Sequence, residues 1–463
     1  MGDEELRPDD QPITPAGRFF LVPRTRQFVH AVLGFRNPID VRAMKNAVRS
    51  TLMRHPRFTS ILVEDGKGIE HWRKLVPDEI DLDRQFVLVP EDDEIAGGED
   101  FVNEYIAGLA IDIRVDTTRP LWEMHLLRSN RCCVLRIHHA LGDGVSFMAL
   151  FLASCKRVDD PTLPPTIPEK ETKSKTTVMK RMSFLQKTWR LIKVAGYTLL
   201  YLTDFILYSF WTKDEKTPIS GGDGVELWPR MVRNVTFELA DMKLVKDSIN
   251  ATINDVLLGI VSLGLERYLE RRNPSISRKP IRITGCTMVN LRKTSGIQNL
   301  ESLELSKAGW GNNFGFMLLP LCLWKSRDDE DTLESIRRVK KMTDKKKLSL
   351  EAYISLKGGT LIMSTFGKEV ASKINYKISS NTTFTISNVM GPLDEMMFAE
   401  NPITYIRSTS SGLPQAVLMH MVSYNGKADM MVQVAKDIIP DVEVLVKCFE
   451  DSLRDMKECV MRC

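Results

Sequence analysis

The stretch VLRIHHALGDGVSF, residues Val134 to Phe147, joins a strand pattern to a helix pattern across two adjacent histidines. Val134, Leu135 and Ile137 form a short apolar run that predicts a buried strand. From Val145 the period changes: Val145, Met148, Ala149 and Leu152 recur at helical spacing, up to about Val158. His138 and His139 therefore close a strand, in a tight connection that Gly142 and Gly144 are expected to allow. Connections of this kind present reactive side chains from a rigid scaffold. A neutral imidazole, with a reference pKa of about 6.5, is a competent base toward an alcohol or an amine. Asp143, followed directly by Gly144, is better suited to bracing the loop than to relaying protons. A bare histidine pair is also compatible with one packed and one exposed ring.

The chain around this stretch has 463 residues, enough for two or three domains with a core in each. Its 43% hydrophobic and 27% charged residues are those of a folded protein. A net charge of +4 is too small to argue for nucleic acid. The eight cysteines form no CxxC pair and no Cys/His ligand spacing, so reduced core thiols are expected and a metal site is not. The opening MGDEELRPDD is acidic and lacks an apolar core, and Gly2 is not followed by a myristoylation pattern. No secretory signal or acyl anchor is expected, and the catalytic portion is expected to face the cytosol.

Outward from the histidines, Phe28 to Leu33 predicts a strand, and Asp40 is placed to cap a helix running to about His55. The strip from Ile61 alternates around Asp65-Gly66 as a hairpin does. Phe101 to Ala110 predicts a helix, and PLWE (120–123) leads into a strand from Met124 to Leu127. After Val158 a Pro-, Thr- and Lys-rich linker begins. It runs into a basic amphipathic helix carrying Val178, Met182, Leu185, Trp189 and Ile192 on one stripe. Ala195 to Trp211 follows, almost uncharged apart from Asp204, and reads as a short membrane span, a buried helix or an interfacial helix. Beyond Met231 a second domain holds a helix with Asn254 and Asp255, a strand from Ile281 to Leu291, and WGNNFG (310–315) opening another strand. A charged helix from Asp328 to Lys347 reads as having a solvated lysine face at Lys345 to Lys347. Thr383 to Ile386 is a strand entering SNVMGP (387–392), Asn425-Gly426 is a hairpin turn, and Asp441 is placed to cap the last helix. Three segments result: 1–157 with the histidines, 158–230 as linker and membrane-associating helix, and 231–463.

HHALGDG matches the HHxxxDG signature of the CoA-dependent acyltransferase superfamily. The ordered set PLWE, HHALGDG, NDVLLGI (254–260), VNLR (289–292), GNNFG (311–315) and SNVMGP resembles the plant-type bifunctional wax ester synthase/diacylglycerol acyltransferases over most of the chain. That resemblance implies an α/β fold of two related chloramphenicol-acetyltransferase-like domains with a tunnel between them. It also implies esterification of long-chain fatty alcohols and diacylglycerol, with acyl-CoA as co-substrate and no bound cofactor. His139 would be the general base, His138 supporting, and Asp143 and Gly144 part of the loop, with Arg292 the suggested partner of Asp143. Asn254 is either an oxyanion donor or a helix-packing residue beside Asp255. Gly311, Asn312, Ser387 and Asn388 either shape the tunnel or serve its turns.

Two other readings stay open. One is a condensation-type or phenolic/alcohol acyltransferase; no carrier motif or DFGWG signature accompanies it here. The other is a non-catalytic lipid-binding protein. The expected location is the cytosolic face of the endoplasmic reticulum membrane, with the plasma membrane as a second one. A single crossing at Ala195 to Trp211 would separate HHALGDG from the later motifs, so an in-plane helix is favoured, and Asp204 adds roughly 2.5 to 3.5 kcal/mol against insertion.

Overall fold

The most completely buried strands lie inside the two large sheets. Val417–Tyr424 is buried at every position, and so is Cys132–His138. Such strands are covered on both faces, which is why most of their positions are apolar, with Arg136, His138, His420 and Ser423 among the exceptions. In the computed structural model the residues described are 6–90, 98–166, 183–274, 280–292, 310–323 and 332–462.

Two large sheets carry the molecule. The first has seven strands in the spatial order Phe86–Leu88, Trp122–Leu127, Cys132–His138, Phe28–Phe35, Asn401–Ser410, Met396–Phe398, Lys156–Arg157. The second has six, ordered Phe314–Leu323, Ile281–Asn290, Phe384–Met390, Val417–Tyr424, Lys427–Ala435, Arg230–Glu238. A small third sheet joins Gln11–Pro12 to the hairpin Glu70–Lys74 and Ser60–Glu64. The fold is the two-domain α/β architecture expected. The expected boundaries fall at 157 and 231, but in space Met396–Ser410 crosses back and completes the first sheet, pairing with Phe28–Phe35.

The core of the second half forms around the helix Ile253–Arg272, which is buried on nearly every side. Two glycines make that possible by space rather than by backbone freedom. A Cβ at Gly264 would lie 2.3 Å from the Phe449 ring, and one at Gly259 would lie 2.5 Å from Ile336. Thr252 and Asp255 close a reciprocal capping box at its start.

Several local expectations are corrected. The helix capped by Asp40 stops at Ser50, and short 3-10 turns carry the chain on to the hairpin. That hairpin's loop runs from Asp65 to Ile69, closed by the Asp65 carboxylate accepting from the backbone of Lys67 and Ile69. Gly68, not Gly66, takes the left-handed conformation there, with φ +70°. The two-residue turn does occur at Asn425-Gly426, with φ +46° and +82°. Asp441 does not cap the last helix with its side chain; its carboxylate instead accepts from Tyr268 and Arg272. Lys346 is not solvated: it is 2% exposed and lies 2.7 Å from Glu351 Oε2.

The amphipathic and apolar segments are one continuous helix, Phe184–Phe210, opened by a Ser183–Gln186 capping box. Val178 and Met182 lie outside the described residues. It is long and apolar enough to cross a membrane by length and composition. Tyr201, Tyr208 and Ser209 bury one side of it against the second half of the chain. The opposite side leaves Phe184, Trp189, Leu199, Leu200 and Phe210 exposed.

Candidate active site

The strand Cys132–His138 delivers His138, and a single 3-10 turn, His139–Leu141, delivers His139 before the helix Gly144–Ser154 begins. Neither loop glycine adopts a left-handed conformation: Gly142 is extended, with φ 167°. What both provide is room. A Cβ on Gly142 would meet Ser146, Phe147 and Trp310 within 3.5 Å, and one on Gly144 would meet Val389 at 3.3 Å.

The two histidines differ in their surroundings. His138 is fully buried, accepts from the Ala140 N–H at 3.1 Å through Nδ1, and packs edge-on to Phe28. Burial drives its pKa well below the usual histidine value, so it stays neutral. His139 is stacked on Phe20, ring centroids 4.1 Å apart, with Phe314 edge-on at 5.9 Å. Its Nδ1 lies 3.0 Å from Asn312 Oδ1, while Asn312 Nδ2 donates to the His139 carbonyl at 2.9 Å. That second bond fixes which end of the amide faces the ring. Nδ1 therefore carries the proton and donates to Oδ1, leaving Nε2 with its lone pair. Burial lowers the His139 pKa, partly opposed by the Asp143 charge and the Asn312 bond.

Asp143 clamps three separate stretches. It caps the helix by accepting from the Ser146 N–H at 3.0 Å, and it accepts from the Asn313 N–H at 3.0 Å. Arg292 grips it with both guanidinium arms, at 2.8 and 2.9 Å. The suggested Asp143–Arg292 pairing is thus present, with both side chains 7% exposed. Arg292 also reaches the Gly311 carbonyl and Ser146 Oγ. Trp310 Nε1 donates to the Leu141 carbonyl at 2.8 Å. The stretch 310–313 is therefore stitched onto the histidine loop, with Gly311 at φ +104° turning the chain. Gly315 has a different purpose, since a Cβ there would sit 1.8 Å from the Ala352 carbonyl oxygen.

Asn254 and Asp255 separate in role. Asp255 is 1% exposed and takes hydrogen bonds from Thr252 and Thr343, which is helix capping and packing. Asn254 is exposed, and its Oδ1 accepts from Asn388 Nδ2 at 2.6 Å. Asn388 and Ser387 line the cavity at His139; Asn254 stands one side chain behind it.

Three cavities lie around the histidine loop, one of them lined by His139 itself. One of about 140 Å3 lies between the two sheets and is lined by His139, Gln27, Ser387, Asn388, Ser410 and His420. A second, about 80 Å3 and apolar, lies beneath the Gly144–Ser154 helix among Leu52, Phe58, Phe147, Met148 and Phe151. The third, about 280 Å3, has Phe20, Asn312 and Phe314 at its inner end. It extends to Leu202, Ile206 and Phe210 of the exposed helix. Sequence reasoning missed Phe20, Ser410 and His420, which carry no motif and reach the site only through folding.

The chain is similar to known proteins over nearly its whole length. The wax ester synthase/diacylglycerol acyltransferase catalytic domain matches residues 23–257, and the C-terminal domain of the same family matches 310–457. Wax ester synthase/diacylglycerol acyltransferase 5 of Arabidopsis thaliana is 34% identical, covering 99% of this chain and 95% of that protein. Number 4 from the same plant is also 34% identical, over 100% of this chain and 92% of the relative. Among solved structures, the wax ester synthase/diacylglycerol acyltransferase of Marinobacter aquaeolei VT8 superposes with a TM-score of 0.59 at 15% identity, covering 97% of this chain and 100% of that one. The first condensation domain of the calcium-dependent antibiotic synthetase shares the fold, with a TM-score of 0.56 at 13% identity over 97% of each chain. This chain belongs to the wax ester synthase/diacylglycerol acyltransferase family.

Proposed function

We propose that the chain transfers the acyl group of a long-chain acyl-CoA to the hydroxyl of a fatty alcohol, forming a wax ester, and to diacylglycerol, forming triacylglycerol. The observation that carries this reading, within the family, is the orientation of His139. Asn312 holds the proton on Nδ1, and Nε2 has no protein partner among the described residues. In the reaction, Nε2 takes the alcohol proton while the hydroxyl oxygen attacks the thioester carbonyl, and no acyl-enzyme is needed. His138 supports the turn, and Asp143 with Arg292 holds the loop in place. The apolar cavities on either side suit alkyl chains, and the more polar one between the sheets suits the reacting ester and thioester groups.

The exposed apolar side of Phe184–Phe210 supports an in-plane membrane anchor at the cytosolic leaflet of the endoplasmic reticulum, with the plasma membrane as a second location. The large apolar cavity opening beside that helix would draw alcohols and diacylglycerol from the lipid.

The test is purified protein with labelled palmitoyl-CoA, offered hexadecanol and diacylglycerol in competition. Labelled ester on either acceptor is expected, and His139→Ala should lower its rate by about two to four orders of magnitude. Acylation of amines or phenolics with none of hexadecanol would overturn the reading, as would near-normal turnover by His139→Ala.

A further inference from the structure

The attack on a thioester carbonyl puts negative charge on its oxygen, and that charge needs a hydrogen-bond donor. Asn254 does not line the cavity that holds His139. Strand register points elsewhere. Ile137 pairs with Val29, and Val29 pairs in turn with Ser410. Residues directly opposite in antiparallel ladders share a face, so Ile137, Val29 and Ser410 lie side by side on one face of the first sheet. His139 follows Ile137 by two positions, and both His139 and Ser410 line the cavity between the sheets.

From the second sheet His420 reaches across to this hydroxyl, Nε2 lying 3.0 Å from Ser410 Oγ. His420 is 8% exposed and Ser410 6%. The other ring nitrogen, Nδ1, is buried without a partner. A buried N–H with no acceptor is rarer and more costly than an unused lone pair, so the proton sits on Nε2 and is donated to Ser410 Oγ. That bond occupies a lone pair of the hydroxyl and leaves its own proton to be donated. No acceptor for that proton is found among the described residues. Burial, and to a lesser degree His139, hold the His420 pKa down to about 4, so the ring is neutral near pH 7 and does not compete as a base.

We propose that Ser410 donates the hydrogen bond that receives the developing oxyanion, with His420 as the residue that positions it. This rests on the acyl-transfer reading above. As the alcohol oxygen bonds to the carbonyl carbon, its proton passes to His139 Nε2 and the carbonyl π pair moves onto oxygen, opposite the Ser410 hydroxyl. Collapse restores the C=O bond and breaks the C–S bond, and the coenzyme A thiolate leaves with the proton from His139. Ser410 keeps its own proton throughout.

The experiment uses the purified full chain with palmitoyl-CoA and hexadecanol. Ser410→Ala should lower kcat on the order of 10²- to 10³-fold, the cost typical of losing one such donor. KM for both substrates and Tm should stay near their starting values. Ser410→Thr, which restores the hydroxyl, should recover about tenfold or more of that loss. His420→Gln keeps an amide N–H near the Nε2 position and should retain more turnover than His420→Leu. Ser410→Cys repeats the test in a variant of nearly conserved volume if the alanine variant folds poorly. A Ser410→Ala or Ser410→Cys protein of normal Tm and undiminished kcat overturns the inference, as does a loss that appears only in KM. Wild-type protein that makes no ester overturns the acyl-transfer reading and this inference with it. An active wild type with indifferent Ser410 variants overturns this inference alone.

Discussion

At Asp143 a single carboxylate determines how three distant stretches of chain meet. It caps the helix after the histidines, accepts from the Asn313 backbone and takes both arms of Arg292. Arg292 is itself 7% exposed, and the Asp143 carboxylate lies against its guanidinium. Replacing Asp143 by Asn keeps the volume but removes the carboxylate charge that faces the Arg292 guanidinium. Breaking a buried pair by removing one member costs about 3 to 5 kcal/mol. Asp143→Asn should lose stability on that scale in urea denaturation, and a change below about 1 kcal/mol would show that Arg292 finds other compensation. His139 and Asp143 were legible in the sequence because strand, turn and helix lie within one short stretch. Asn312 was quoted there as a tunnel or turn residue; its role in holding the imidazole tautomer depends on a contact across 173 positions. Ser410 and His420 had no signal at all, since a serine or histidine inside a buried strand looks the same whichever neighbour it faces.

Among the elements, the helix Phe184–Phe210 separates what periodicity can and cannot say. Its apolar spacing predicted a helix, and the Ser183–Gln186 box marks its start. The face turned to protein was not legible, because the residues that bind it are polar as well as apolar. Tyr208 donates to Asp214, Lys346 lies 3.8 Å over the Tyr201 ring, and Asp204 is 3.8 Å from Arg282. Those contacts also account for the buried Lys346, which local sequence made look solvated. The helix Glu351–Phe366 also leaves Tyr353, Leu361 and Phe366 exposed. Leu199 and Leu200 point away from the buried side, at 69% and 53% exposure. A Leu199→Glu/Leu200→Glu variant should therefore fold normally while losing binding to phospholipid vesicles in flotation. It should also esterify vesicle-embedded hexadecanol more slowly, with turnover of a short soluble alcohol little changed. Flotation equal to wild type would remove this helix from the membrane reading.

For the molecule as a whole, strand pairing limits how the chain could sit at a bilayer. Residues 28–35 precede the long helix and residues 401–410 follow it, yet they are neighbours in one sheet, with Ile403 opposite Phe35 and Ser410 opposite Val29. The Asp143–Arg292 and His139–Asn312 contacts likewise join chain from before the helix to chain from after it. A helix that crossed the bilayer once would put these partners on opposite sides, which neither the sheet nor the site could survive. Length and composition alone allow Phe184–Phe210 to span, so sequence could raise the question, whereas the pairing within the first sheet argues against a single crossing. The expected outcome is that both flanks of the helix face the cytosol. Acceptor sites for glycosylation inserted in two exposed hairpin turns, one at Asp65–Gly68 before the helix and one at Asn425–Gly426 after it, should both stay unmodified in microsomes. Both should also be cut by protease added from outside. Modification of one turn and not the other would mean a true crossing, and would require that the first sheet assemble some other way than by pairing Phe28–Phe35 with Asn401–Ser410.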